Sequence, residues 1–192
     1  MVAFVVSGQS EMKTNNSPKP TSGSAPSLAE EFTSAIAAFR AGKLDQAEGV
    51  LQRVLQQFPD YFEALYLLGV LYGETKHYAA AFLLFDKALT LRPDNQEIRK
   101  SYRELVKRCN QIHFREAIVL HRQGCLNEAD ALYHAMLQRD PNHFDALRLS
   151  GAIAVQKHDY SRALDYLQRA LTIRPDDPEP YSNRGVALRE LK

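Results

Sequence analysis

Cysteine is scarce in this chain, and long apolar runs are missing. The two cysteines, Cys109 and Cys125, form neither a Cys-x-x-Cys motif nor the framework of a disulfide-rich domain. No run of about 18 apolar residues occurs, which argues against a membrane-spanning helix. The apolar opening over residues 1–6 is too short for the core of a signal peptide. We therefore expect a cytoplasmic protein that does not associate with membranes.

The chain also lacks an excess of charge of either sign. Lys and Arg number 24 against 23 Asp and Glu, which leaves a net charge of +1. This balance argues against binding to nucleic acid, because such proteins must neutralise many phosphates. Basic residues gather only at 99–108, where glutamates partly offset them. A solvated helix face is the simpler interpretation of that cluster, and docking of an acidic partner is the alternative.

Motifs of catalysis are absent as well. The sequence contains no Gly-x-Ser-x-Gly, no His-Glu-x-x-His, no phosphate-binding Gly-rich loop and no dinucleotide fingerprint. Cys109, His113, His121 and Cys125 are residue types that hold zinc. On one helix, however, the two histidines would lie about 12 Å apart, too far to share an ion. We expect no enzymatic activity, no metal and no cofactor.

A four-residue pattern that recurs along the chain is the most informative positive feature. The copies are Ala47, Leu51, Val54 and Pro59; Ala81, Phe85, Ala88 and Pro93; Ala129, Tyr133, Met136 and Pro141; and Ala163, Leu167, Ala170 and Pro175. The first two prolines are as far apart as the last two, and the middle interval is longer by the length of the segment 96–109. Self-similarity at a fixed period predicts a stack of one small supersecondary unit rather than a single globular core.

The spacing of apolar residues predicts an all-α fold. From Leu28 onward it follows the helical period, and prolines and Gly-containing turns divide the chain into helices of about a dozen residues. No segment alternates as a strand would. Residues 1–27 are different, because Ser, Pro, Thr, Asn and Gly dominate from residue 7 onward. Such a segment buries too little apolar surface to offset its ordering entropy, so we predict a disordered tail.

These residues resemble the tetratricopeptide repeat, a helix-turn-helix unit of about 34 residues. The second copy is the most complete and carries Leu65, Leu68, Gly69, Tyr72, Ala81, Phe85, Ala88 and Pro93. The resemblance implies a right-handed superhelical solenoid of antiparallel helix pairs. It places repeats at 28–61, 62–95, 110–143 and 144–177, plus the first helix of a fifth at 178–192, in one domain over 28–192. The small residues are expected where two helices approach closely, so that a larger side chain would overpack the contact.

The chain departs from the repeat pattern in two places. Residues 96–109 are extra, and neither Pro nor Gly occurs between Pro93 and Gly124. The extra segment therefore either lengthens the first helix of the third repeat or forms a separate short helix. Its length is nearly four helical turns, so a lengthened helix keeps its apolar face within about 40° of the original direction. The fifth repeat has no second helix, and we expect either a longer protein or a partner at this end, including a second copy of the chain.

The resemblance also implies a function, because the first helices of such repeats line a concave groove. It implies that an aromatic or apolar strip contacts a partner, with arginines at its rim. The residues that match these places are Phe32, Ile36, Tyr66, Val70, Phe114 and Ile118 in the strip, with Arg115, Arg122 and Arg148 near the rim. Such a surface suits an amphipathic peptide or helix with acidic flanks. The alternative is that a neighbouring helix or the N-terminal tail covers these residues.

Two hypotheses about function follow from these features. The first is a non-catalytic scaffold that binds a protein or peptide segment in its groove. The second is the N-terminal regulatory or substrate-recruiting part of a larger enzyme, such as a glycosyltransferase, sulfotransferase or methyltransferase. Neither the Lys, Asn and Arg clamp that grips two carboxylates nor a ladder of groove asparagines, both known in related modules, is supported by the residues at those places.

Overall fold

The computed structural model describes residues 27–192, and over this range it consists of nine α-helices without a strand. The helices are α1 (Leu28–Arg40), α2 (Leu44–Gln57), α3 (Phe62–Glu74), α4 (Tyr78–Leu91), α5 (Gln96–Arg122), α6 (Leu126–Arg139), α7 (Phe144–Gln156), α8 (Tyr160–Ile173) and α9 (Pro178–Glu190). The predicted all-α repeat fold is confirmed. The predicted disordered tail, apart from Ser27, lies outside the described residues.

Local sequence signals explain where the helices begin. Ser27 caps α1 in a capping box, since its hydroxyl accepts from the Glu30 N–H and the Glu30 carboxylate accepts from the Ser27 N–H at 2.8 Å. The side chain of Asn95 caps α5 by accepting from the Ile98 N–H at 3.0 Å. The connections are short, so consecutive helices pack as pairs: α1 with α2, α3 with α4, α5 with α6, and α7 with α8.

The small residues of the repeat lie where the two helices of a pair meet. A Cβ atom built on Gly69 would lie 2.8 Å from the Phe85 ring, and one on Gly151 would lie 2.6 Å from Leu167 Cγ. Gly185, the equivalent residue of α9, has nothing within 4 Å, because no second helix covers it in the described chain. The predicted packing reason for the small residues is confirmed at Gly69 and Gly151.

The extra segment 96–109 continues straight into the third repeat as part of the 27-residue helix α5. The alternative of a separate short helix is therefore wrong. The first half of α5 buries Ile98, Leu105 and Cys109 against the core of α3 and α4. Its second half buries Ala117 in the core that α6 and α7 form. One helix thus completes two neighbouring repeats, about 20 Å apart along its axis.

The two halves of the molecule repeat each other, so that residues 62–92 correspond to residues 144–174. The guanidinium of Arg92 lies 3.8 Å from the ring centroid of Phe62, and that of Arg174 lies 4.1 Å from the ring centroid of Phe144. In both helix pairs the arginine comes directly after the second helix, and it covers the aromatic residue that begins the first helix of the same pair. This correspondence shows that the helix pairs on either side of α5 are built in the same way at this contact.

Over residues 27–192, no helix is both long enough and apolar enough to cross a membrane. The longest helix, α5, is strongly polar along much of its surface, with exposed basic residues at 99, 100, 103, 107 and 108. Its length comes from packing on two repeats rather than from an apolar sequence.

Candidate partner-binding surface

Two cavities open beside α5, one against each half of that helix. The α3–α5 cavity, of about 320 Å³, has an apolar floor and charged groups at its edge. It is lined chiefly by Tyr66, Val70, Glu74, Ser101, Glu104 and Arg108. The α5–α7 cavity, of about 400 Å³, is lined by Ile118, His121, Arg122, Tyr133, Arg148, Leu149 and Gln156.

A third cavity lies where α5 passes the connection between α6 and α7. It measures about 610 Å³ and is lined chiefly by Arg103, Lys107, Asn110, Phe114, Arg139 and His143. We call it the turn cavity. The Asn110 side chain is only 4% exposed, and its Oδ1 atom has no hydrogen-bond partner in the described chain.

The predicted groove residues fall into separate groups rather than one strip. Tyr66 and Val70 line the α3–α5 cavity, whereas Ile118, Arg122 and Arg148 line the α5–α7 cavity. Phe114 lies in the turn cavity, with its ring centroid 6.2 Å from that of Tyr133 and 6.1 Å from that of His143. That these residues contact a partner stays a prediction.

Phe32, Ile36 and Arg115 line none of these three cavities. Phe32 and Ile36 are half-buried against the core of α1, α2 and α3, and the Phe32 ring meets the Tyr61 ring edge-on at 5.3 Å. Arg115 is exposed on α5, away from the cavities. That these three residues contact a partner also stays a prediction.

The first half of α5 partly covers the predicted residue Tyr66. The Tyr66 hydroxyl and the Ser101 hydroxyl are 3.1 Å apart and share a hydrogen bond. Burial is the main cause that raises the pKa of Tyr66. The alternative that a neighbouring helix covers the groove residues therefore applies in part to Tyr66, because α5 covers some of its side chain. The rest of the α3–α5 cavity is open to solvent.

The rim of the α3–α5 cavity carries an ion pair that the sequence did not indicate. Arg108 donates to the Glu74 carboxylate at 3.2 Å and to the backbone carbonyl of Gly73 at 3.3 Å. Both charged groups are about half exposed, so the pair contributes little to stability. Its effect is to join α5 to the end of α3 beside the cavity.

Arg148 differs from the open rim residue that the sequence suggested. Its side chain is 21% exposed and forms ion pairs with Asp145, at 3.6 Å, and with Glu179 of α9. Arg122 is exposed, and in the described chain no carboxylate lies within ion-pair distance of it. Of the two, Arg122 is the guanidinium available to a partner.

Four residues of the α5–α7 cavity were not among the predicted groove residues, namely His121, Tyr133, Leu149 and Gln156. The Gln156 amide nitrogen lies 3.2 Å from His121 Nε2, which places a polar pair at the cavity edge. Tyr133 reaches the cavity from α6, a second helix, and second helices were not expected to contribute to the groove. The repeat pattern contained a signal for Tyr133. The equivalent residues of the other repeats, Leu51, Phe85 and Leu167, carry no polar side-chain atom, whereas Tyr133 carries a hydroxyl.

The residues considered for zinc are only partly brought together. Cys109 Sγ lies 3.8 Å from His113 Nε2, and Arg139 Nη1 lies 3.4 Å from His113 Nδ1. Burial raises the pKa of Cys109 and lowers the pKa of His113. Among residues 27–192 no group of three or more His, Cys, Asp or Glu could hold a metal ion.

Consecutive helix pairs with cavities along their first helices define a helical-repeat solenoid, a class of protein in which each repeat contacts its neighbours. The family model for the tetratricopeptide repeat matches residues 32–96 and 114–178. These spans cover more than half of the chain, and the chain belongs to the tetratricopeptide repeat family. The unmatched residues between them lie within α5.

Curated relatives match this chain over a small part of their own length. The human protein O-mannosyl-transferase TMTC1 is 28% identical over 153 residues, which are 78% of this chain and 16% of that protein. The mouse TMTC1 is 25% identical over 135 residues, which are 70% of this chain and 13% of that protein.

Several solved structures of repeat proteins resemble the fold. A tetratricopeptide repeat protein from Parabacteroides merdae is 17% identical, with a TM-score of 0.41 over 85% of this chain and 60% of its own. YrrB, described as a TPR protein with an unusual peptide-binding site, is 21% identical with a TM-score of 0.38, over 83% of this chain and 92% of its own. A structure of MamA is 15% identical with a TM-score of 0.40, over 85% of this chain and 82% of its own.

Proposed function

We propose that this chain is a non-catalytic scaffold that binds a protein or peptide segment along α5, across the α3–α5 and α5–α7 cavities. Its membership of the tetratricopeptide repeat family supports an interaction role. The observation that carries the proposal is the placement of the two cavities on one side of the same helix. Cytoplasmic location and the absence of nucleic-acid binding remain predictions.

The spacing of the cavities follows from helix geometry. Glu104 and Arg108 line the α3–α5 cavity, and Ile118 and Arg122 line the α5–α7 cavity. Along α5, the distance from Glu104 to Ile118 equals the distance from Arg108 to Arg122. That length is nearly four helical turns, which returns a helix to within about 40° of its starting direction and advances it about 21 Å. An extended segment of six or seven residues covers that distance at about 3.3 Å per residue. A bound segment of this length could therefore contact both cavities.

The two cavities offer different chemistry to such a segment. In the α3–α5 cavity, Tyr66 and Val70 provide apolar surface, and Glu104 is an exposed carboxylate. In the α5–α7 cavity, Ile118 provides apolar surface and Arg122 an exposed guanidinium. An amphipathic segment with apolar anchors is the partner that this surface fits best.

A random dodecapeptide library displayed on phage, selected against the full chain, would test the proposal. Selected peptides, synthesised with amidated C-termini, would be titrated by fluorescence anisotropy. We expect Tyr66→Ala and Arg122→Glu each to weaken binding about tenfold, as loss of one anchor or charge-assisted contact typically does. Leu83→Ala is the matched control, because Leu83 is 71% exposed on α4 and lines none of the cavities.

Circular dichroism of each variant would show whether the fold persists. Peptides that bind Tyr66→Ala and Arg122→Glu as tightly as the unaltered chain, with intact helical spectra, would overturn the groove assignment. Because Arg122 is exposed, its substitution separates binding from folding more cleanly than that of the half-buried Tyr66.

A second candidate function rests on the curated relatives. Both are named protein O-mannosyl-transferases, and this chain spans 16% and 13% of their lengths. Under this proposal the repeats recruit acceptor proteins to a glycosyltransferase elsewhere in a larger polypeptide. Sequencing the coding region around this segment tests it. A reading frame that continues into a transferase domain would support the proposal, and a frame limited to these residues would contradict it.

A further inference from the structure

Tyr133, one of the residues that line the α5–α7 cavity, carries a hydroxyl that has no partner in the described chain. Tyr133 is 0% exposed, and its hydroxyl makes no hydrogen bond with any described residue. A buried hydroxyl without a partner destabilises the free protein, because it has lost its bonds to water. The equivalent large residues of the other repeats, Leu51, Phe85 and Leu167, avoid this loss. The hydroxyl is thus unnecessary for the packing of the repeat.

The charged groups that line the α5–α7 cavity favour an anion as the missing partner of this hydroxyl, and the nearby Arg148 and Asp145 act on the pKa of Tyr133 in opposite directions. No Asp or Glu of the described chain lines the α5–α7 cavity, whereas two guanidinium groups do. The guanidinium of Arg148 is already paired with Asp145 and Glu179, so it is neutralised within the molecule. The guanidinium of Arg122 has no such pair among the described residues. One positive charge is therefore left uncompensated at the cavity.

The cavity also presents neutral donors and apolar walls. The Tyr133 pKa is raised to about 12, chiefly by burial, so at neutral pH the hydroxyl keeps its proton and can donate. The Gln156 amide stands at the edge, beside His121. Ile118 and Leu149 provide apolar surface that would contact methylene groups. A single carboxylate on a short hydrocarbon stem satisfies this combination of one charge, several donors and apolar walls.

We propose that the α5–α7 cavity binds the side-chain carboxylate of an Asp or Glu within the partner segment, through the Arg122 guanidinium and the Tyr133 hydroxyl. This proposal rests on the proposed scaffold function and specifies one contact of it. The hydroxyl is closed off from solvent in the free protein, so a lining side chain moves aside on binding. Among the lining side chains, Arg122 and Gln156 are the exposed ones. The carboxylate then replaces the hydrogen bond that the buried hydroxyl lacks.

The test uses the peptides selected on the full chain, each made with an amidated C-terminus and in two forms. One form keeps an acidic residue, and the other carries the neutral amide, Glu→Gln or Asp→Asn. On the unaltered chain we expect this change to weaken binding about tenfold at one position of the peptide. In the Arg122→Ala variant, we expect the same acid-to-amide change to alter binding less than about twofold, because the variant has already lost the contact between the carboxylate and Arg122.

Tyr133→Phe provides the second readout. We expect it to weaken binding of the acidic peptide about threefold to tenfold and to leave the amide form unchanged. Tyr166→Phe is the matched control, because the Tyr166 hydroxyl is already bonded to Arg162 at 3.2 Å and lines none of the cavities. We expect this control to bind both peptide forms as the unaltered chain does.

The outcomes separate the two proposals. One outcome is that the acid-to-amide change in a groove-dependent peptide has the same effect on the unaltered chain and on Arg122→Ala. That result would overturn the carboxylate site but would not contradict the scaffold function. Binding that requires a free C-terminal carboxylate, tested with non-amidated versions, would also overturn the assignment to a side chain. A library that yields no groove-dependent peptide would count against both proposals.

Discussion

Individual residues show how closely the repeats are packed. Ala47, Ala81, Ala129 and Ala163 are all fully buried at equivalent places in the second helices. Gly69 and Gly151 lie so close to a partner helix that a Cβ atom there has no room. Overpacking of such contacts costs more than the gain in helix propensity that alanine brings.

Gly151→Ala should lower the free energy of unfolding by roughly 1–3 kcal/mol, because the new methyl group meets the buried Leu167. Gly185→Ala is the control, since nothing lies within 4 Å of its added Cβ atom. There we expect a gain of about 0.5–1 kcal/mol from helix propensity alone. Urea denaturation measures both, and equal effects at the two glycines would disprove the packing argument.

Tyr133→Phe should raise the free energy of unfolding by about 1 kcal/mol, because it removes a buried hydroxyl that has no partner in the described chain. Tyr166→Phe should not raise it, since that hydroxyl is hydrogen-bonded to Arg162. Chemical denaturation of both variants checks the difference. A lower stability for Tyr133→Phe would mean that the hydroxyl finds a partner within the free protein.

Residues whose role is set by local spacing were predicted most successfully. The small residues at the helix contacts and the aromatic or Leu residues beside them were identified from the repeat alone. Tyr133 and Gln156 were missed as residues that line a cavity, and Arg148 was expected to be an open rim residue. Those three depend on how neighbouring repeats are rotated against each other, which spacing within one repeat does not encode.

Among the elements, α5 is the one that sets this chain apart from a regular array. Its first half packs on α3 and α4, and its second half on α6 and α7. Gly73 lets α3 and α5 approach each other, since a Cβ atom there would lie 3.2 Å from Leu105. Continuity of α5 therefore couples the two halves of the molecule mechanically.

Ile112→Pro should break this coupling. Ile112 is 41% exposed near the middle of α5, and proline there removes one helical hydrogen bond and clashes with the preceding turn, which costs about 3 kcal/mol. We expect unfolding in urea, followed by circular dichroism, to separate into two transitions. Ile112→Ala is the control and should retain a single one. A single transition in the proline variant would show that the halves are coupled by other contacts.

The helices could largely be predicted from the sequence because their period and their breaks are local signals. The path of residues 96–109 could be narrowed only to two alternatives. The absence of Pro and Gly permitted a continuous helix but did not require one. Ile98 and Leu105 are buried against the core of α3 and α4, and these contacts fix the path of residues 96–109 as part of one continuous helix. They are long-range contacts, which the local sequence does not reveal.

On the scale of the whole molecule, α9 exposes the face that covers a second helix in the other repeats. Tyr181 and Leu188 are 50% and 44% exposed on α9, and the space beside Gly185 is open. Apolar surface of this kind favours association. Self-association through this end was expected from the sequence and stays a prediction.

Multi-angle light scattering at several protein concentrations tests it. We expect the average mass to rise with concentration, and Leu188→Lys to suppress the rise by placing a charge in the interface. Leu83→Lys is the control, since Leu83 is 71% exposed on α4, away from α9. A strictly monomeric chain at every concentration would contradict this prediction.

The sequence by itself determined the helices, their pairing, the small residues at their contacts and the family of the protein. These features repeat at a fixed spacing, and each repeat encodes its own helix pair locally. Only the tertiary structure decided that α5 serves two repeats, that Glu179 pairs with Arg148, and that the Tyr133 hydroxyl is buried without a partner in the described chain. The reason is physical, because these contacts join residues of different repeats. Their geometry depends on how the repeats pack on one another, which the spacing within one repeat does not encode.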